Sequence, residues 1–117
     1  MNRAVVVGAT GFIGAHLCRA LVACGAQVTG FSRQPPLQAP RGVTCLSGDV
    51  GNSDSLAAAC AEADCIYWVA GETTPADSVR DPGLEVAGNL LPLTRFLTRV
   101  GGATRSRVVY ASSGGTI

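Results

Sequence analysis

Lysine is missing altogether. All nine basic residues of this 117-residue chain are arginine, so no step that needs an amine side chain can be drawn from them. Long apolar runs are missing too: nothing reaches the roughly 20 residues that a membrane-spanning helix requires. Basic blocks and basic helical stripes are absent and the formal net charge is only +1, which argues against nucleic acid or an acidic membrane surface as the main partner. The five cysteines, Cys18, Cys24, Cys45, Cys60 and Cys65, are odd in number and include no Cys-x-x-Cys pair. Neither a disulfide framework nor a zinc site is indicated, and no metal is expected. The lone histidine, His16, has no second ligand or nucleophile beside it and reads as a helix-surface residue. The opening apolar stretch is broken by glycines and has no charged leader beyond Arg3, so it is not read as a secretion signal. A reducing, cytoplasmic setting is the expectation.

What is present is material for one α/β unit. With 47% hydrophobic and 15% charged residues, the chain can fill a single modest core. Its most informative stretch is Gly8-Ala9-Thr10-Gly11-Phe12-Ile13-Gly14. The run before it, Arg3-Ala4-Val5-Val6-Val7, is short, apolar and β-branched, as expected of a strand buried on both faces. After it, Ile13, Leu17, Ala20, Leu21 and Cys24 recur at helical spacing and are expected to face inward, with Gly25 as a left-handed cap. Glycines between strand and helix permit backbone angles that a Cβ forbids and let the main chain approach a ligand closely. The amides and positive dipole end of the following helix then favour an anion. This is the pattern of a pyrophosphate-binding loop.

Strands and helices alternate along the rest of the chain without linker or repeat. Gln27–Ser32 reads as a second strand, and residues 33–42, with Pro35, Pro36 and Pro40, as a loop. Residues 43–48 form a third strand. From a cap at Asn52 or Ser53, Leu56, Ala59, Cys60 and Ala63 describe a short amphipathic helix. Residues 65–70 form a fourth strand, in which Trp68 serves sheet packing. Asp81-Pro82 is a helix start, Gly101-Gly102 its end, and Leu84, Ala87, Leu91, Thr94 and Leu97 its expected inner face. Pro92 falls inside that helix, where proline costs about 3 kcal/mol, so a kink is expected there. Residues 108–111 make a fifth strand.

Such alternation demands a parallel sheet, here in the expected order 3-2-1-4-5. Ligands of these sheets bind at the carboxyl ends of the strands, near the switch point where the glycine loop emerges. Ser32 and Arg33, Asp49 and Val50, Ala70 and Gly71, and Ser112 and Ser113 should therefore face one cleft. Thr73, Thr74 and Asp77 lie in a loop above it and read as ordinary polar loop residues.

The glycine loop, Gly48-Asp49-Val50, Val69-Ala70-Gly71, Asn89-Leu90-Leu91, and residues 108–116 (Val-Val-Tyr-Ala-Ser-Ser-Gly-Gly-Thr) stand in a telling order and spacing. Together they resemble the extended short-chain dehydrogenases/reductases, in particular the NAD-dependent epimerase/dehydratase branch that acts on nucleotide sugars. The resemblance implies a Rossmann-like doubly wound α/β fold and a dinucleotide cofactor held by Gly8, Thr10, Gly11, Phe12, Ile13 and Gly14. It implies that Asp49 and Val50 contact the adenine, that Ala70 and Gly71 line the path to the nicotinamide ribose, and that Asn89 is structural. On its own residues, Asp49 also fits a turn cap and Ala70-Gly71 a close-packed strand end.

The second strand bears on cofactor choice. An acidic residue at its end accepts hydrogen bonds from the ribose hydroxyls and repels a 2′-phosphate. Here Ser32 holds that place, followed by Arg33. A small hydroxyl beside a guanidinium suits a 2′-phosphate, so NADP is favoured over NAD.

In the family, the tyrosine of a Tyr-x-x-x-Lys motif exchanges a proton with the substrate hydroxyl, the lysine lowers its pKa, and a serine or threonine after strand 5 orients the substrate oxygen. Ser113, with Ser112 as the alternative, matches that serine. Tyr67 and Tyr110 lie within strand patterns, and neither has a lysine four residues on. Two readings stay open: the opening, incomplete dinucleotide-binding domain of a longer nucleotide-sugar enzyme whose substrate domain lies elsewhere, or a stand-alone non-catalytic binding or assembly module. An uncovered strand 5 at the sheet edge leads to an expectation of homo-oligomers.

Overall fold

The computed structural model describes residues 2–34, 36, 38–70, 90–101 and 106–111. Its elements run β1 (Arg3–Val7), α1 (Phe12–Ala23), β2 (Gln27–Ser32), β3 (Val43–Ser47), α2 (Ser53–Ala59), β4 (Cys65–Trp68), α3 (Leu91–Val100) and β5 (Arg107–Tyr110). The five strands form one sheet in the order β3-β2-β1-β4-β5. Every pairing is parallel, with Val5 opposite Thr29 on one side and Ile66 on the other. This is the Rossmann-like α/β architecture and the strand order expected from the alternation.

The apolar run in β1 works through the two-residue period of a strand. Val5 and Val7 point to one face, where Phe31, Leu56, Cys60, Ile66, Trp68, Leu93 and Phe96 complete a core beneath α2 and α3. Val6 points to the other, joining Cys18, Val28 and Val43 beneath α1. The Trp68 and Phe96 rings meet at 5.4 Å between centroids, so Trp68 does pack the sheet against a helix.

The local signals acted largely as expected. Gly25 follows the last residues of α1 with φ +87°, the left-handed geometry that a glycine best supplies. Asn52, not Ser53, caps α2, its side chain accepting the Ser55 N–H at 3.1 Å. Proline-rich residues 33–42 stand in place of a crossover helix, and the Val43 N–H bonds back to the Pro40 carbonyl at 3.1 Å. Strands β3 and β4 end earlier than expected, at Ser47 and Trp68. Beyond them the Gly48 and Val69 amides still bond to the Ser32 and Val7 carbonyls, each at 2.9 Å.

Both expected helix stripes need correction. In α1 the buried residues are Gly14 and Cys18, flanked by Leu17, Leu21 and Val22, while Ile13 is 59% exposed and Ala20 and Cys24 lie outside. Small residues let the helix close onto the sheet, and that requirement outranks the bulkier stripe. In α3 the inward residues are Leu93, Phe96 and Val100; Leu91, Thr94 and Leu97 are exposed. Two stripes are available in this leucine-rich segment, and the wholly apolar one carrying Phe96 removes more apolar surface from water. Pro92 sits in the first turn of α3 as described. The expected start at Asp81-Pro82, the inner residues Leu84 and Ala87, and any bend before Pro92 lie outside the described residues.

Candidate functional site

The glycine loop leaves β1 and is pinned at once to β2: the Gly8 and Ala9 amides both donate to the Phe31 carbonyl, at 2.8 and 3.2 Å. Gly8 adopts φ +94°, and a Cβ there would lie 2.7 Å from the backbone of Ala70. A Cβ on Gly14 would lie 2.0 Å from the Gly8 carbonyl oxygen. These two glycines are demanded by the fold itself, one by the turn and the strand exit it touches, the other by seating α1 on the loop. Gly11 is different. Its φ is −72°, and a Cβ would meet only the Gly8 oxygen, at an ordinary 3.5 Å. Nothing among the described residues requires glycine there.

Gly11 also opens α1. No side chain caps that end of the helix and its first turn contains no acidic residue. The Gly11 amide itself donates to the Gly8 carbonyl at 3.2 Å, so among the described residues it is the Phe12 and Ile13 amides and the positive end of the dipole that can meet an anion. Beside them a cavity of about 230 Å³ is lined by Gly8, Thr10, Gly11, Ser32, Arg33, Gly48, Val50, Val69 and Ala70. Four strand ends and the loop converge on it, at the carboxyl edge of the sheet where α/β folds bind ligands. Roomier cavities, of about 480 Å³ at the amino ends of the strands and about 360 Å³ between α2 and α3, lack this convergence.

Seven of the expected cofactor residues therefore share one wall: Gly8, Thr10, Gly11, Ser32, Arg33, Val50 and Ala70. Gly14 acts behind it as a packing residue. The Phe12 and Ile13 side chains point to solvent, Phe12 being 81% exposed and set edge-on against His16 at 4.7 Å. At these two positions only the backbone amides are available to the site. Asp49 does not line the cavity; its Oδ1 accepts the Gly51 N–H at 2.9 Å, so the carboxylate caps a turn. Ser32 is buried, its hydroxyl donating to the Gln34 carbonyl at 3.1 Å. Gly48 and Val69 belong to the wall but were not among the expected site residues. The signal for them was their place at strand ends, one residue ahead of those chosen. Gly71, Ser112, Ser113, Asn89, Thr73, Thr74 and Asp77 lie outside the described residues.

Among the described residues no group of three or more His, Cys, Asp or Glu is arranged to hold a metal ion, and no helix is long and apolar enough to cross a membrane. His16 lies on the exposed face of α1, its Nδ1 3.0 Å from an Arg19 guanidinium nitrogen.

The model of the NAD dependent epimerase/dehydratase family matches residues 4–117. The chain belongs to this family. A 2-alkyl-3-oxoalkanoate reductase of Shewanella oneidensis is 34% identical over 101 residues, 83% of this chain and 26% of that protein. A 3-beta-hydroxysteroid dehydrogenase of Mycolicibacterium neoaurum is 38% identical over 71 residues, 60% of this chain and 19% of that protein. The chain thus spans about a quarter and a fifth of these two curated relatives. Among solved structures, a UDP-glucose 4-epimerase from Brucella ovis in complex with NAD superposes with a TM-score of 0.87 at 22% identity. That superposition covers 99% of this chain and 37% of the other. MoeE5 in complex with UDP-glucuronic acid and NAD superposes with a TM-score of 0.81 at 28% identity, over 96% of this chain and 37% of the other. Membership in an NAD-dependent family accords with a glycine loop, an uncapped helix start and a cavity at one sheet edge.

Proposed function

We propose that these residues hold the dinucleotide cofactor of an epimerase/dehydratase-family oxidoreductase. One observation carries the reading above all: Gly11, unconstrained by any of the described residues, stands at a helix N-terminus without a side-chain cap on the wall of the carboxyl-edge cavity. Removing a side chain there serves close approach of a ligand to the backbone. The amides of Phe12 and Ile13 bind the pyrophosphate, Val50 and the turn held by Asp49 flank the adenine, and Ala70 with Gly71 leads toward the nicotinamide ribose. When bound, the nicotinamide supplies hydride transfer.

Ser32 and Arg33 bias the site toward NADP. No carboxylate lines the described wall, so nothing there repels a 2′-phosphate, and a guanidinium binds one through charge-assisted hydrogen bonds. Calorimetric titration with NADP⁺ and NAD⁺ tests both claims. Arg33→Ala is expected to weaken NADP⁺ about tenfold or more, the loss of one hydrogen bond to a charged group being about 1.5–3 kcal/mol, and to leave NAD⁺ nearly unchanged. Tighter NAD⁺ than NADP⁺ binding to the unaltered chain would reverse the preference, and saturable binding of neither would remove the site.

Without a lysine, the Tyr-x-x-x-Lys pair cannot come from these residues. The chain's part is therefore to bind and orient the cofactor, with Ser113, or Ser112, reaching toward substrate. A nucleotide sugar is the substrate class favoured by the likeness to MoeE5, whose complex contains UDP-glucuronic acid. A second reading, reduction or oxidation at a ketone or hydroxyl of a more apolar molecule, is favoured by the 34% identity to a 2-alkyl-3-oxoalkanoate reductase. Competition between cofactor-loaded protein and UDP, measured by calorimetry, separates the two: only the first reading expects uridine diphosphate to bind.

A further inference from the structure

On the α1 side of the sheet, next to the glycine loop's wall and sharing Thr10 and Ser32 with it, two thiols converge. Cys45 of β3 stands in register with Gly30 of β2. The Cys18 sulfur of α1 hangs 4.0 Å from where a Cβ on Gly30 would be. Ala9 Cβ and Val43 Cγ1 cover Gly30, 2.8 and 3.4 Å from that point, and the Cys18 thiol lies beside them, with Cys45 one strand away on the same face. Both belong to the α1-side core and both line one cavity of about 400 Å³. Its other walls set the apolar Ala9, Ala15, Pro36, Pro40 and Val43 beside the polar Thr10, Ser32 and Gln34. The cavity is much larger than a bare ion needs.

We propose that Cys18 and Cys45 form a dithiol site for trivalent organoarsenicals, the sulfurs taking the arsenic and the apolar side of the cavity taking its organic group. The chemistry is a condensation without redox change. One As=O and two S–H bonds break, two As–S bonds form, and both protons leave with the oxygen as water. The product is a neutral dithioarsenite, which suits a place that disfavours charge. Burial raises the Cys18 pKa, with the nearby Cys45 adding to the effect, so this thiol resists reagents that require a thiolate. A direct disulfide fits less well. Its Cα atoms must approach to about 4.4–6.8 Å, whereas these cysteines stand in separate layers, helix and sheet. An arsenic atom inserted between the sulfurs lengthens the reach.

The other thiols do not match this combination. Cys60 lies in the core on the opposite face of the sheet, while Cys24 and Cys65 line a more polar cavity that also includes Arg3, Asp64 and Arg107.

The test uses phenylarsine oxide and intact-mass spectrometry on the full chain carrying Cys24→Ser and Cys65→Ser. One adduct is expected, resistant to excess 2-mercaptoethanol and removed by 2,3-dimercaptopropanol. Two-point attachment is worth about 100-fold or more in retention, so Cys45→Ser should lower adduct survival by about that factor. As a readout that needs no further variant, the adduct is denatured and treated with a maleimide. Cys60 should be labelled while Cys18 and Cys45 stay protected. Labelling of either, stripping by the monothiol, or full retention in Cys45→Ser would overturn the assignment.

Discussion

Replacing Gly11 by alanine separates what the fold requires of the glycine loop from what a ligand requires. The new Cβ would meet only the Gly8 carbonyl oxygen, at 3.5 Å, and the residue's φ of −72° suits alanine. Restricting the unfolded chain stabilises by about 0.4–1 kcal/mol where the native angles are compatible. Alanine is a poorer N-cap than glycine by a similar amount, about 0.5–1 kcal/mol. The two offset, so stability should stay within about 0.5 kcal/mol, a shift of about 2 °C or less in Tm for a chain of this size. Binding should respond quite differently. A methyl group between the α1 amides and a pyrophosphate costs one hydrogen bond to a charged group, about 1.5–3 kcal/mol. Dinucleotide affinity should fall about 10- to 100-fold. Urea unfolding gives the first quantity and calorimetric titration the second. Undiminished affinity would refute the phosphate-cradle reading, and marked destabilisation would refute the claim that space is open at Gly11.

Gly14→Ala should do the reverse: its Cβ would stand 2.0 Å from the Gly8 oxygen, and overpacking of about 1–3 kcal/mol, less about 1 kcal/mol of helix propensity, should appear as a lower urea midpoint. Phe96→Ala should cost about 3–5 kcal/mol, whereas Leu97→Ala, at a 42% exposed position, should cost about 0.5 kcal/mol or less; equal losses in urea unfolding would contradict the α3 packing described above. Burial pushes the Cys60 thiol from 9.0 up to about 11. Above pH 9 the unfolded chain loses this proton before the folded one does, so the stability is intact below that pH and falls between pH 9 and about 11, by roughly 2–3 kcal/mol. Cys60→Ala should flatten that alkaline slope relative to the unaltered chain, as read by urea unfolding across the pH range.

Much of the fold, and seven of the nine residues on the candidate wall, were legible in the residues because the signals were local. A β-branched run, a glycine loop and a following helical period suffice to place β1, α1 and the ligand edge, since each rests on backbone sterics or hydrogen bonding within a few residues. The site residues Ser32, Arg33, Val50 and Ala70 could be chosen because parallel strands deliver their carboxyl ends to one edge. The inward faces of α1 and α3 were misread, because apolar periodicity states that a face exists without saying which of two neighbouring stripes wins. That contest depends on whether Gly14 lets α1 reach the loop and whether Phe96 meets Trp68, and both are matters of fit between distant segments. Asp49 carried the same ambiguity: its carboxylate suits an adenine contact or a turn, and in the structure its Oδ1 accepts the Gly51 N–H.

The sequence by itself determined the class of the protein: alternating elements force a parallel sheet, the glycines force a tight strand-to-helix turn, and the lack of lysine denies these residues one half of a catalytic pair. Tertiary structure alone decided which glycine answers to what. Gly8 and Gly14 answer to contacts with Ala70 and the loop's own carbonyl, while Gly11 answers to nothing among the described residues. It alone brought Cys18 and Cys45 into one cavity, 27 positions apart in sequence. The physical reason is common to both. Backbone geometry is written over a few neighbouring residues, but the space around a side chain is set by segments that meet only once the sheet has formed.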